Sequence, residues 1–234
     1  MPKSESKKVF RTVISEQIKE QLMEEIFRHK YEPGERLVES ALAKELNVSQ
    51  TSVREALRSL VAMGFLESEP FKGITVRSLS RQDLWEVYTV RAALESLAAF
   101  HAAERITDEQ IAELEEICEE MIEAAKAGDA HQRTMLNIEF HKALIRASGL
   151  KLILKLFDNL QFGSWSLMKG TFTSMDAVEI ALRHRKLIEA LKTGDPERAS
   201  RAVREHIVEG SMSILESVEQ TNSADTATET DKKD

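Results

Sequence analysis

Leu46-Asn47-Val48-Ser49-Gln50-Thr51-Ser52-Val53-Arg54-Glu55-Ala56-Leu57-Arg58-Ser59-Leu60, closed by Gly64, is the stretch that decides the fold. Asn47-Val48-Ser49 reads as a tight turn. Ser49 can cap a helix over Gln50–Met63, because a serine hydroxyl satisfies one of the amide groups left open in the first turn. Val53, Leu57 and Leu60 then share an inward face, and Gly64 supplies the stop. Just upstream, Leu42 and Leu46 give a short helix over Val38–Leu46. Further out, Ile14, Ile18, Leu22 and Ile26 recur every four residues, so an earlier helix carries one apolar stripe until Tyr31-Glu32-Pro33-Gly34 ends it. Downstream the period changes: Phe65-Leu66-Glu67 and Ile74-Thr75-Val76 read as strands joined by Glu69-Pro70-Phe71-Lys72-Gly73. Three helices followed by a hairpin make a winged helix-turn-helix.

A helix that enters a DNA major groove needs small or polar residues on its leading turn, since bulky apolar ones would block the base edges. Ser49, Gln50, Thr51 and Ser52 meet that need, and Arg54 and Arg58, four apart, share a face that can reach bases or phosphates. The net charge of −8 argues the other way for the chain as a whole. Divided by region, the objection fails. Residues 1–78 hold 13 Lys and Arg against 12 Asp and Glu, leaving the deficit in the remainder, and Lys3, Lys7, Lys8 and Arg11 form a basic arm.

The rest of the chain has no β-like stretch. Ser80-x-x-Asp83 and Thr107-x-x-Gln110 resemble capping boxes, and Asp195-Pro196 places a cap before a proline at the first helical position. With interruptions at Gly128, Gly149, Gly170 and Gly194, the spacing predicts helices near 82–105, 108–127, 130–147, 150–168, 175–192 and 196–217, suited to an antiparallel bundle. The expected class is mainly α: a winged helix-turn-helix over 1–78, a helical bundle of six to seven helices over 79–218, and a disordered tail over 219–234 that lacks apolar anchors.

Composition agrees with a packed helical chain, at 42% apolar residues, nine Gly and four Pro. The lone Cys118 excludes an internal disulfide framework, lies among acidic residues and reads as inert. No stretch has the length of a membrane span or the pattern of an export signal, so a cytoplasmic location is expected.

Among six histidines, three fall at suggestive places. Asn137 and His141 are four apart on one helix face, while His184 and His206 sit on two later helices. Three imidazoles and one oxygen donor converging from three helices would suit Zn²⁺, Ni²⁺, Mn²⁺ or another divalent ion. His29, His101 and His131 match no such pattern and read as structural or exposed. Trp85, Phe157, Phe162 and Trp165 read as core or interface.

The segment Pro33-Gly34-Glu35-Arg36-Leu37-Val38-Glu39 through Gly64 resembles the DNA-binding domain of the GntR superfamily of bacterial repressors. The resemblance implies operator contacts from Ser49, Gln50, Thr51, Ser52, Arg54 and Arg58, with wing contacts from Lys72 and Gly73. Members usually carry Arg-Thr-Pro after the serine, and here Gln50 and Ser52 replace the arginine and proline; glutamine favours adenine edges. Arg91-x-x-x-Glu95, Asn137-x-x-Phe140-His141, His184-Arg185-x-Leu187-Ile188 and the stretch around His206 resemble the FCD effector domain of the FadR-like branch. That likeness implies a metal held by Asn137, His141, His184 and His206 and completed by a small carboxylate effector. Arg91 and Arg133 are the arginines placed to pair with that carboxylate, although Arg91 is equally well spaced for an ion pair with Glu95. The expected protein is a homodimeric repressor on a pseudo-palindromic operator. An organic acid would alter operator affinity by reorienting the bundle relative to the winged domain. Two alternatives stay open: metal-independent control by an acyl-coenzyme A or sugar-acid ligand, and a metal-dependent hydrolase, for which Glu139 is the nearest carboxylate but points off the ligand face.

Overall fold

The computed structural model describes residues 3–28, 30–77, 80–165 and 176–230, with side chains over 14–26, 28, 30–77, 80–160, 176–212 and 215. The chain divides into two compact units, residues 1–78 and 79–234. Among the described residues no helix is long and apolar enough to cross a membrane. His29, Gly170, and the side chains of the basic arm, Phe162 and Trp165 lie outside the described residues.

The first unit runs α1 (Lys3–Phe27), β1 (Arg36–Leu37), α2 (Glu39–Glu45), α3 (Gln50–Ala62), β2 (Leu66–Glu69) and β3 (Gly73–Val76). Ile18 and Leu22 of the α1 stripe are buried with Val53, Leu57 and Leu60 of α3. Ser49 caps α3 by accepting the Ser52 amide, and Gly64 follows with φ of 81°, a left-handed conformation that glycine adopts without steric cost. The hairpin pairs Leu66 with Val76 and Glu69 with Gly73. β1 adds a third strand on the far edge of β3, giving the order β1-β3-β2. Two residues are too short for an alternating pattern, so this strand leaves no signal in the sequence.

The second unit contains α4 (Arg81–Ala103), α5 (Asp108–Lys126), α6 (Ala130–Ala147), α7 (Lys151–Trp165), α8 (Ala177–Leu182), α9 (His184–Lys192) and α10 (Pro196–Thr230). Both capping boxes form, and Asp195 accepts the Arg198 amide at the head of α10. The core gathers Leu114, Met121, Phe140, Leu144, Phe157 and Leu187. α10 packs along α4, whose Ala98, Ala99 and Ala102 are fully buried and bring the helix surfaces close.

Two helices depart from expectation. The helix expected over 175–192 is broken at Arg183 into α8 and α9. The His184 ring explains the break: its Nδ1 lies 3.2 Å from the carbonyls of both Ile180 and Ala181. A side chain inserted into the carbonyl ladder is a recognised cause of kinking. At the other end α10 continues to Thr230 instead of ending near 217. Beyond Gly210 no glycine or proline stops it, and each further residue adds one backbone hydrogen bond to an existing helix. Residues 231–234 lie outside the described residues.

Candidate functional site

The DNA-facing residues are laid out by α3 and the hairpin. Gln50, Thr51, Arg54 and Arg58 are exposed. Arg54 is held by Glu39 of α2, with Nε at 3.1 and 2.9 Å from the two carboxylate oxygens and Nη2 at 2.8 Å. Ser52 is different and corrects the sequence reading. It is 3% exposed, and its hydroxyl lies 2.9 Å from that of Ser49. Position 52 follows Thr51 around toward Val53 and the core, so its side chain is packed inside the unit and does not reach DNA. At the wing, Lys72 pairs with Glu69 at 2.6 Å. Gly73 has φ of 87°, and a Cβ there would lie 3.1 Å from Arg36 Nε, so any other residue would be strained and would displace the Arg36 side chain. Phe71, which the sequence reading passed over, is wholly exposed with φ of 69°.

In the helical unit, His141 on α6, His184 on α9 and His206 on α10 each offer a ligand atom within 4.8 Å of the others. Their ring centroids lie 5.5 Å (His141–His184), 5.5 Å (His141–His206) and 4.5 Å (His184–His206) apart. Asn137 stands half-buried one turn before His141 on α6. The donor set fits a divalent ion. With both carbonyls on its Nδ1, His184 carries its proton there, which leaves Nε2 as a lone pair. Nε2 of His184 and Nδ1 of His206 are buried without a hydrogen-bond partner among the described residues. Burial lowers the His184 pKa to about 3, with electrostatic repulsion from His141 second, and lowers that of His206 well below the ordinary imidazole range. Neutral imidazoles are the form that binds metal.

Glu95 of α4 completes the arrangement and was read in the sequence only as an ion-pair partner. It is fully buried, with Oε1 2.8 Å from Arg91 Nε and Oε2 2.6 Å from His141 Nδ1. The latter is a close contact, bent away from linear hydrogen-bond geometry. Burial works against the Glu95 charge, but the Arg91 guanidinium and His141 overcome it and hold the carboxyl at about 2. Arg91 is itself buried, between the rings of Tyr88 and Phe157 at 5.2 and 5.3 Å. Arg133 lies two turns before His141 and one before Asn137, on the same face of α6, half-buried. Burial lowers its pKa, and no carboxylate among the described residues opposes that shift. Arg183, at the α8–α9 break, donates to the His206 carbonyl at 3.4 Å and to Glu209. Glu139 points away, held at 2.8 Å by Arg146 on the outer surface. Of the remaining residues, His101 pairs with Glu104 at 3.5 Å, His131 is half-buried, Phe157 is core and Trp85 is half exposed.

A winged helix-turn-helix with an exposed polar leading turn, followed by a separate helical unit enclosing polar groups, defines a two-domain transcriptional regulator. Residues 14–76 match the bacterial regulatory proteins of the gntR family, and residues 86–209 match the FCD domain. The chain is 32% identical over 86% of its length to a probable D-xylose utilization operon transcriptional repressor of Paenarthrobacter nicotinovorans, covering 89% of that protein. It is 27% identical to the gluconate operon transcriptional repressor of Bacillus licheniformis, covering 79% of each chain. Among solved structures, McbR/YncC of Escherichia coli superimposes with a TM-score of 0.75 at 27% identity, over 86% of this chain and 96% of that one. The chain belongs to the GntR family and carries an FCD domain. It is a DNA-binding transcriptional regulator, and its family is one of regulators, not enzymes.

Proposed function

We propose that the protein is a cytoplasmic, homodimeric repressor whose operator affinity is set by a small carboxylate metabolite bound at a divalent metal in the helical unit. The observation that carries this reading is the three-histidine cluster, buried at His141 and His184 and half-buried at His206, in which the lone pair of His184 Nε2 has no partner among the described residues. Asn137, His141, His184 and His206 would hold the ion, with zinc the best match to imidazole donors and nickel or manganese acceptable. When bound, the ion supplies a cationic centre for a carboxylate oxygen. The chain's own residues do the rest. Arg133, a half-buried cation on the ligand face of α6, offers a second contact to the same anion. Arg91 is fixed beside the cluster by Glu95, Tyr88 and Phe157. The gluconate and xylose operons named for two relatives support a small oxygen-rich ligand over a long acyl chain.

Each protomer would present Gln50, Thr51, Arg54 and Arg58 to one half-site, with Lys72 and Gly73 at the wing. Effector binding lowers DNA affinity by favouring a state of the protein with weaker operator contacts. The test combines metal analysis of gently purified protein with gel-shift titration against organic acids. About one equivalent of a divalent ion, and an acid that releases DNA only from metal-loaded protein, are expected. Acid-dependent release from metal-free protein would favour hydrogen bonding by the histidines alone. An operator affinity indifferent to every acid that binds would overturn the reading.

A further inference from the structure

We propose that Glu95 is a positioning residue for the metal site: it fixes the His141 imidazole in the tautomer protonated on Nδ1, leaving Nε2 as the lone pair for the ion. The inference rests on the metal reading of the three-histidine cluster. Its geometric basis is the way Glu95 divides its oxygens. A carboxylate paired with arginine alone favours the two-pronged arrangement, with both oxygens on the guanidinium. Here Oε1 meets Arg91 Nε at 2.8 Å, while Oε2 lies 2.6 Å from His141 Nδ1, a contact that is attractive, though bent, only with the ring proton on that nitrogen, since two facing lone pairs would repel.

The surroundings make that division rigid. Glu95 is on α4 and His141 on α6, both wholly inside the helical unit, so the contact bridges two packed helices. Arg91, one turn before Glu95, is wedged between Tyr88 and Phe157 and holds the other carboxylate oxygen at 2.8 Å. Burying such a pair brings little stability, since apolar residues of the same volume often do as well. Its value is then local. The charges of Arg91 and Glu95 cancel, so the pair leaves the site's net charge unchanged and acts through orientation. A carboxylate behind a metal-bound imidazole sets the ring angle and raises the basicity of the opposite nitrogen. Asn137 brings no charge to the ligand set, so the donor strength of the rings carries more of the binding. His184 is set in the same tautomer by different means, the Ile180 and Ala181 carbonyls. Two of the three rings are thereby prepared by partners outside the ligand set.

The experiment compares full-length wild type, Glu95→Gln and the double variant Arg91→Met/Glu95→Gln, which avoids stranding a buried guanidinium should the single variant fail to fold. Zn²⁺ and Co²⁺ affinities are read by chelator competition, and the His141 tautomer in metal-free protein by ring ¹⁵N shifts. The expected result is binding roughly 10- to 100-fold weaker in whichever variants fold, together with a shift of His141 toward the Nε2-protonated form. Wild-type affinity in a folded variant, or an unchanged tautomer, overturns the role given to Glu95 while the metal site stands. No metal uptake by the wild type itself overturns the metal reading, and this inference with it.

Discussion

Arg54 on the recognition helix grips both carboxylate oxygens of Glu39 on the preceding helix, through three hydrogen bonds of 2.8 to 3.1 Å. The same bonds hold the Glu39 carboxyl below the usual carboxylate range. The guanidinium is therefore held in one pose with its charge partly answered. Glu39→Ala should free Arg54 to bind any phosphate, steepening the salt dependence of binding by about one log unit per log unit and lowering selectivity for the operator about tenfold. Anisotropy titrations on a selected operator and a scrambled duplex between 50 and 200 mM salt measure both, and unchanged selectivity would count against a positioning role.

Gln50 and Ser52 should behave oppositely although they are two residues apart. Gln50 is exposed at the head of α3, so Gln50→Arg is expected to move the preference at one base pair from adenine to guanine, by about 1–3 kcal/mol. Ser52 is packed against Ser49, so Ser52→Ala should leave operator affinity within about twofold and cost stability of about 1 kcal/mol, typical for a weakened helix cap. Selection from a degenerate duplex pool, together with urea unfolding, separates the two effects.

The Ser52 result marks where the sequence was readable. Caps, stripes and glycine stops depend on residues three or four apart, and these gave both domains and the helix starts. Relationships across the chain depend on packing, which no local spacing encodes. Glu39 meets Arg54 from fifteen residues away, and Glu95 meets His141 from forty-six away, so neither contact was visible. The histidines were found because their residue type is informative, while the break at Arg183 was missed because it arises from a histidine ring turning back on its own helix.

Metal-free protein should lose stability as the pH falls below neutrality. The pKa of His184 drops from 6.5 to about 3 on folding, through burial first and His141 second. Below about 6.5 the unfolded chain takes up a proton that the folded chain refuses, so stability is complete above that pH and lost toward about 3. One such group gives a slope of about 1.4 kcal/mol per pH unit, and His206, shifted the same way, adds to it. Urea midpoints between pH 7.5 and 5 in the presence of chelator read this slope. His184→Gln should flatten it, and a flat wild-type profile would mean that the rings are hydrated.

Cys118 should resist alkylation in the folded state. It is fully buried, its thiol approaches the Ala181 carbonyl at 3.9 Å, and burial, aided by Glu119, raises its pKa to about 11. Reaction needs both exposure and thiolate, so labelling by iodoacetamide at pH 8 should follow unfolding. Labelling of native protein at the rate of a free thiol would contradict the packing between α5 and α8.

Arg133 offers the cleanest separation of effector binding from metal binding. It shares the ligand face of α6 with Asn137 and His141, yet is two turns from His141, and burial lowers its pKa with no carboxylate among the described residues to compensate. A cation placed so is costly unless an anion arrives. Arg133→Leu relieves that cost, so the variant should be at least as stable as wild type and should take up metal normally. Loss of a charge-assisted hydrogen bond is worth about 1.5–3 kcal/mol, so the acid concentration needed to release DNA should rise roughly 10- to 150-fold. Gel-shift titration with the most effective acid, run beside metal analysis of the same preparation, gives both readings. An unchanged acid response would remove Arg133 from the site and leave Arg91 as the arginine that meets the effector.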